Sequence, residues 1–379
     1  MSAKIPRLSS MDSQQKKILS FFRIRRIIVP VIIGLGVATY LLIRNFDRTA
    51  FEQVTWTGQS YFYIFLSLCL MAVRDIAYMY RLRVLTDGQL SWRRCFEVIM
   101  LWEFASAVTP SIIGGSAIAL FIINREGVSM GRTTAIVMIT AFLDELFYII
   151  MVPIMLIWVG PGQLFLSEGE YVLMNTRFGA QGIFVIGYVF ILVLTTIIIY
   201  GVFVNPRGLK FILLYIFKLP FLRKWRTKAA ETGNEIIITS SEMKEKPFLF
   251  WIKAFAGTFF SWTARFWVVN AMLLAFISVG DHFLIYARQL VMWVILLISP
   301  TPGGSGVAEF VFSGFLGEFV PPGLTPAMGL LWRIISYYPY LFIGAIILPY
   351  WLKRVYAPKE KPPEKEDEAQ GGMQYPKPV

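Results

Sequence analysis

The chain has 379 residues, of which 56% are hydrophobic and only 16% charged, and its mean hydropathy is +0.61. So little polar surface excludes an ordinary water-soluble domain and points to lipid as the main solvent. Thirty-six Lys plus Arg against 24 Asp plus Glu give a formal charge of +12, but the basic residues interrupt long apolar runs. That distribution belongs to membrane topology rather than to a nucleic-acid surface.

A helix needs about 20 apolar residues to cross a bilayer. Windows near that length predict six crossings, at 27–43, 60–80, 133–159, 181–204, 248–279 and 326–352. The segment 1–26 is basic, with Lys16, Lys17, Arg23, Arg25 and Arg26 close to the first span. No small-residue cleavage site follows that span, so it reads as a retained anchor.

Two further apolar stretches, 96–123 and 285–315, are broken near their middles by Thr109-Pro110-Ser111-Ile112-Ile113-Gly114-Gly115-Ser116 and by Ser299-Pro300-Thr301-Pro302-Gly303-Gly304-Ser305-Gly306. The pieces on either side of the first break are about 13 residues each, near 20 Å as helix and too short to cross alone. Lys and Arg concentrate in cytoplasmic loops, which decides how these stretches run. If both are re-entrant hairpins, the N-terminus, 81–95, 124–132, 205–247 and the tail lie inside with 28 Lys and Arg, against three outside. A single crossing at 96–123 would put the basic segment 205–247 on the wrong side, so it is rejected.

The two hairpins then enter from opposite sides. Aligning Gly114-Gly115-Ser116 with Gly303-Gly304-Ser305 places Asp144 and Arg333 at equal distances beyond the break. The expected architecture is an all-α integral membrane protein, six transmembrane helices plus two oppositely oriented re-entrant hairpins in an inverted repeat. The membrane domain spans 27–355, both termini are cytoplasmic, and a basic, aromatic-containing helix at 207–228 lies on the inner leaflet. The Pro-, Glu- and Lys-rich tail, 356–379, is expected to be disordered.

Ionisable residues at lipid depth cost about 2.5–3.5 kcal/mol each on insertion scales and need a reason. Asp144 and Glu145 lie roughly 17 Å from the nearer end of their span, beyond the reach of a short side chain to water. Adjacent on a helix, they point about 100° apart, so one is expected to serve a cavity and the other a neighbouring helix. Arg265 is equally central. Arg74 and Asp75 lie closer to a span end, where Arg74 can snorkel toward water, and Arg333 is similarly placed. Glu103 and Glu309 belong to the broken stretches, where irregular backbone signals a polar cavity. The candidate substrate-binding residues are therefore Arg265, Asp144, Glu103, Glu309, Arg74, Arg333 and Glu145, with Pro110, Gly114, Gly115, Pro302, Gly303 and Gly304 as its backbone frame.

Catalytic chemistry finds little support. Cys69 and Cys95 are too few for a disulfide framework or zinc site. His282 sits beside Asp281 in an expected solvated loop without ligand spacing or a nucleophile. Gly303-Gly304-Ser305-Gly306 lacks the Lys and Ser/Thr of a phosphate loop. No metal or cofactor is expected.

Pro110-Ser111-Ile112-Ile113-Gly114-Gly115 with Arg125-Glu126-Gly127, and Pro302-Gly303-Gly304-Ser305-Gly306-Val307-Ala308-Glu309, resemble the signatures of the lysylphosphatidylglycerol synthase transmembrane, or flippase-like, family. The likeness covers about residues 20–355. It implies a bacterial inner-membrane protein that moves a lipid with a charged head group between leaflets, its partner a membrane phospholipid, with self-association left open. The sequence ends soon after the last span without residues for a soluble transferase domain, so lipid synthesis is not expected. The alternatives are an ion- or proton-coupled carrier of a small anion and an accessory to polyprenyl-linked glycosyl transfer.

Overall fold

A computed structural model describes residues 43, 56–109, 111–165, 170–173, 176–219, 223, 226–297, 301, 303–321 and 323–356. The first expected crossing lies outside the described residues apart from its last position, as do Pro110, Pro302 and the tail.

Local chemistry sets where the helices begin. Thr57 and Ser60 form a reciprocal capping box at the start of α1, Gly58–Leu85. Ser91 accepts from the Arg94 amide at the start of α2, Trp92–Val108, and Ser129 does the same for Arg132 at the start of α4, Met130–Val159. Each hydroxyl satisfies an amide that has no partner within its helix. Between them α3 spans Ser111–Arg125. A two-stranded antiparallel hairpin, β1 (Glu170–Leu173) and β2 (Thr176–Gly179), follows α4; the all-helical expectation had no place for it. The other described helices of ten residues or more are α5 (Ala180–Ile199), ending in a π turn over Tyr200–Val204, α6 (Pro206–Ile216), α7 (Arg226–Lys244), α8 (Phe248–Leu274), α9 (His282–Leu297), α10 (Val307–Leu316), α11 (Thr325–Ser336) and α12 (Tyr338–Tyr356).

Four stretches among the described residues are long and apolar enough to cross a membrane: Gly58–Leu85, Met130–Val159, Gln181–Val204 and Thr325–Val355. On α5, Val185, Val189, Val193 and Ile197 form an exposed apolar stripe at four-residue spacing, as a lipid-facing helix surface requires. The 27-residue α8, expected as a further crossing, is not among the four. The last expected crossing stands among the four, with an interruption at Tyr337, whose φ of −130° and ψ of −56° leave the helix. Pro339 supplies the reason, since it has no amide proton to give the Ile335 carbonyl four residues back and its ring crowds that carbonyl. The inner-leaflet helix is also shorter than expected, ending at Ile216. The segment after it, read as a loop, holds α7, which packs on α6 and the start of α4.

Helices α2 and α3 fold back on each other. Arg354 of α12 pairs with both Glu97, near the start of α2, and Glu126, just beyond α3, while Arg94 lies 3.7 Å from Glu126. The two helices therefore share an open end. A Cβ on Gly115 would collide with Ser106 across the pair, so glycine is what lets the backbones close. In the second broken stretch, Arg288 of α9 donates to the Phe315 carbonyl at the far end of α10, 3.1 Å away, and pairs with Glu318. That hairpin opens at the other end of the molecule: Arg288 also binds the carbonyl of Gln163, beyond the end of α4. The first opens where α4 begins, because Arg132 at the α4 start and Lys246 before α8 both pair with Asp87 in the α1–α2 turn.

The order long helix, short hairpin, long helical segment occurs twice, as α1–α4 and as α8–α12. The two leading helices, α1 and α8, make the most extensive helix contact. They run antiparallel: Ser67 bonds the Val268 carbonyl, Ser261 the Arg74 carbonyl, and Arg81 reaches Thr258. Small residues at the seam, with Gly257 against the Ala77 carbonyl, allow the close approach that helix association in lipid relies on.

Candidate functional site

The tips of both hairpins converge on a cavity of about 310 Å³. Thr109 and Ser116 line it from the first hairpin, Thr301, Gly303 and Gly304 from the second. The break after α11 joins them: the Tyr337 hydroxyl donates to the Ala107 carbonyl at 3.0 Å, and Arg333 donates to the Gly303 carbonyl at 3.0 Å. Gly303 has a φ of +57° and packs its α-carbon against the Tyr337 ring, where a side chain would collide. Glycine there is a steric necessity.

Four arginines approach this space. Arg74 has 0% exposure and does not snorkel. It pairs with Glu103 at 2.6 Å and Asp75 at 2.7 Å and donates to the Tyr340 hydroxyl. Arg81, counted from sequence among the cytoplasmic loop charges, is buried in α1 and forks onto both Asp144 oxygens. The indole N–H of Trp262 completes that carboxylate at 2.9 Å. Arg333 pairs with Glu309 at 3.3 Å and lies over the Tyr337 ring at 3.5 Å. The second oxygen of Glu309 accepts the Gly306 amide at 2.8 Å, fixing the start of α10.

Arg265 is different. Among the described residues no carboxylate lies within ion-pair distance of it, and its buried Nε has no hydrogen-bond partner. Its guanidinium sits 4.0 Å from the Trp293 ring centre and 5.4 Å from that of Trp262. Indole faces steady a cation and leave its N–H edge free to donate. The carboxylic counterpart is Glu145, whose residue is 6% exposed and whose Oε2 has no hydrogen-bond partner among the described residues. Asp144 and Glu145 were expected to face different partners, one the cavity and the other a neighbouring helix, yet both line the cavity.

Of the residues singled out from sequence, Arg265, Asp144, Glu145, Glu103, Arg333, Gly303 and Gly304 line the cavity directly. Arg74 and Glu309 stand behind it, holding Glu103 and Arg333. Gly114 and Gly115 lie in α3, and Pro110 and Pro302 lie outside the described residues. Sequence reasoning missed Arg81, Tyr78, Tyr148, Trp262, Trp293 and Tyr340. One signal was available, an aromatic residue, Trp262, three positions before a lone helical arginine and hence on the same face. His282 begins α9 instead of lying in a loop, its Nδ1 3.0 Å from the Asn270 side-chain oxygen.

Fold and site together define a multi-pass membrane protein whose packed helices enclose a charged internal cavity. The chain belongs to the lysylphosphatidylglycerol synthase TM region family, whose model matches residues 27–344. It is also similar to a UPF0104 membrane protein of Archaeoglobus fulgidus, at 26% identity over 276 residues covering 70% of this chain and 78% of the archaeal one.

Proposed function

We propose that this protein is a lipid translocator that carries a phosphate-bearing head group through the cavity while the acyl chains remain in the bilayer. The observation that carries this reading is Arg265, a guanidinium in the cavity with no carboxylate partner among the described residues. A planar fork of donors is suited to a phosphate diester, and the low-dielectric protein wall behind it strengthens that attraction. Arg74, Arg81 and Arg333 already hold carboxylates. Their pairs act as latches that cargo or motion must loosen, and Asp144, Glu103 and Glu309 are the groups such loosening frees for a cationic substituent.

The architecture proposed with this function is an inverted repeat of six crossings and two re-entrant hairpins, with both termini in the cytoplasm of a bacterial inner membrane. Its support is the antiparallel pairing of α1 with α8 and the opposed open ends of the hairpins. Rocking of such halves exchanges access to a central site.

The test is leaflet exchange of a fluorescent phosphatidylglycerol in reconstituted vesicles, followed by quenching from outside. The wild type is expected to speed exchange over protein-free vesicles, and Arg265→Gln to remove at least about 2 kcal/mol of charge-assisted binding, a thirtyfold loss. Equal exchange by both proteins would remove Arg265 from the mechanism.

A further inference from the structure

Among the described residues, Glu145 is a carboxyl group without a cation. Every other cavity carboxylate has an arginine: Asp144 has Arg81, Glu103 has Arg74, and Glu309 behind the wall has Arg333. Nine-tenths buried residues of this kind normally have their oxygens satisfied, yet Oε2 of Glu145 lacks a hydrogen-bond partner among the described residues and the side chain lines the cavity.

The surroundings show how little else could neutralise it. On its own helix Glu145 has Asp144, committed to Arg81 and Trp262, and Tyr148, whose ring packs on Trp262. From α1 come Arg81 and Tyr78, the latter's ring beneath both Arg74 and Arg81. From α5, Tyr188 gives its hydroxyl to the Ile149 carbonyl. The charged residue of α7 that reaches α4, Glu235, bonds the Gly131 amide, about 21 Å along the helix. Arg125 belongs to the end of α3, and Arg288 of α9 is bound at Gln163 and Glu318. Arg265 of α8 stands over its indoles.

We propose that Glu145 is a proton-binding site coupled to cargo at Arg265, so that a lipid phosphate and a proton occupy the cavity together. The inference rests on the translocator reading. A phosphate brings a negative charge into a poorly screened space, and a proton on Glu145 offsets it. Linkage then makes each favour the other's binding. The step is a simple transfer: water on the loading side gives a proton to Oε2, and the carboxylic acid returns it to water on the releasing side. No bond to the cargo forms. Intramembrane carboxyls of this kind are the usual material of proton relays.

Vesicles containing phosphatidylglycerol and an imposed pH difference of one unit test this. One proton per lipid drives the leaflet ratio to about tenfold, reversing when the gradient is reversed, and Glu145→Gln brings the ratio to about one. A gradient-sensitive Glu145→Gln, or a wild type whose ratio ignores the gradient, overturns the proposal. Infrared difference spectra of the detergent-solubilised protein across a pH titration provide a readout independent of transport. A titrating carboxylic-acid band that vanishes in Glu145→Gln supports the site, and its absence from the wild type overturns it even if lipid moves. Failure of the wild type to exchange lipid would sink the translocator and its coupling, leaving the infrared band to decide the proton site alone.

Discussion

Arg265 on the cavity wall and Arg74 behind it should respond differently when their charge is removed. Arg74→Gln leaves Glu103 and Asp75 half-buried beside a vacated partner, and breaking a pair with one member fully buried costs up to about 3–5 kcal/mol. Arg265→Gln orphans no carboxylate among the described residues, so its unfolding free energy should stay within about 1 kcal/mol of wild type. Urea unfolding in mild detergent distinguishes them; equal destabilisation would mean that Arg265 has an unrecognised structural partner. The charges themselves were legible in the sequence, because an ionisable side chain in an apolar run announces itself. Their pairing was not. Arg74 and Glu103, or Arg81 and Asp144, are brought together by contacts between helices, and depth along one helix cannot say whether a long arginine turns to water or to a carboxylate. The lone status of Arg265 and Glu145 emerges only after the other pairs have been made.

At the scale of elements, the ends of α2 near Thr109 and of α9 near Leu297 were legible since glycine and proline act through local backbone, but the first break is shorter than expected, with Gly114 and Gly115 inside α3. The hairpin geometry gives a direct test. In a chain with Cys69 and Cys95 replaced by Ala, Cys introduced at Arg94 and Glu126 should be joined by a short bifunctional thiol reagent, because those two side chains end 3.7 Å apart. A straight helix would hold these positions about 48 Å apart, beyond the span of such a reagent. Absence of the cross-link in a folded, lipid-embedded sample would contradict the hairpin. The break at Tyr337 went unread although Pro339 was in view, because the apolar run continues through it and length alone suggested one helix. The helix α7 escaped for the opposite reason. Its polar sequence has only a thin apolar stripe, Ala229, Ile236 and Met243, through which it packs on α4 and α6.

For the whole molecule, the distribution of Lys and Arg was informative because it depends on counting and not on contact. The groups around Asp87 and Glu126 gather at one end, including Arg132, Lys246, Arg94 and Arg354, as the topology anticipated. The meeting of the two hairpin tips could be guessed from the repeated order of elements, but the cavity's shape depends on the antiparallel seam between α1 and α8, which no linear pattern records. The central claim is that this shared space is wet and holds a lipid phosphate at Arg265. Ser116, half-buried on the cavity wall, reports on both parts when replaced by Cys in the cysteine-free background. A small, water-soluble thiol reagent should modify it, and short-chain phosphatidylglycerol should slow that modification, with the protection lost in Arg265→Gln. A cysteine that never reacts, or protection that survives the loss of Arg265, would contradict the account.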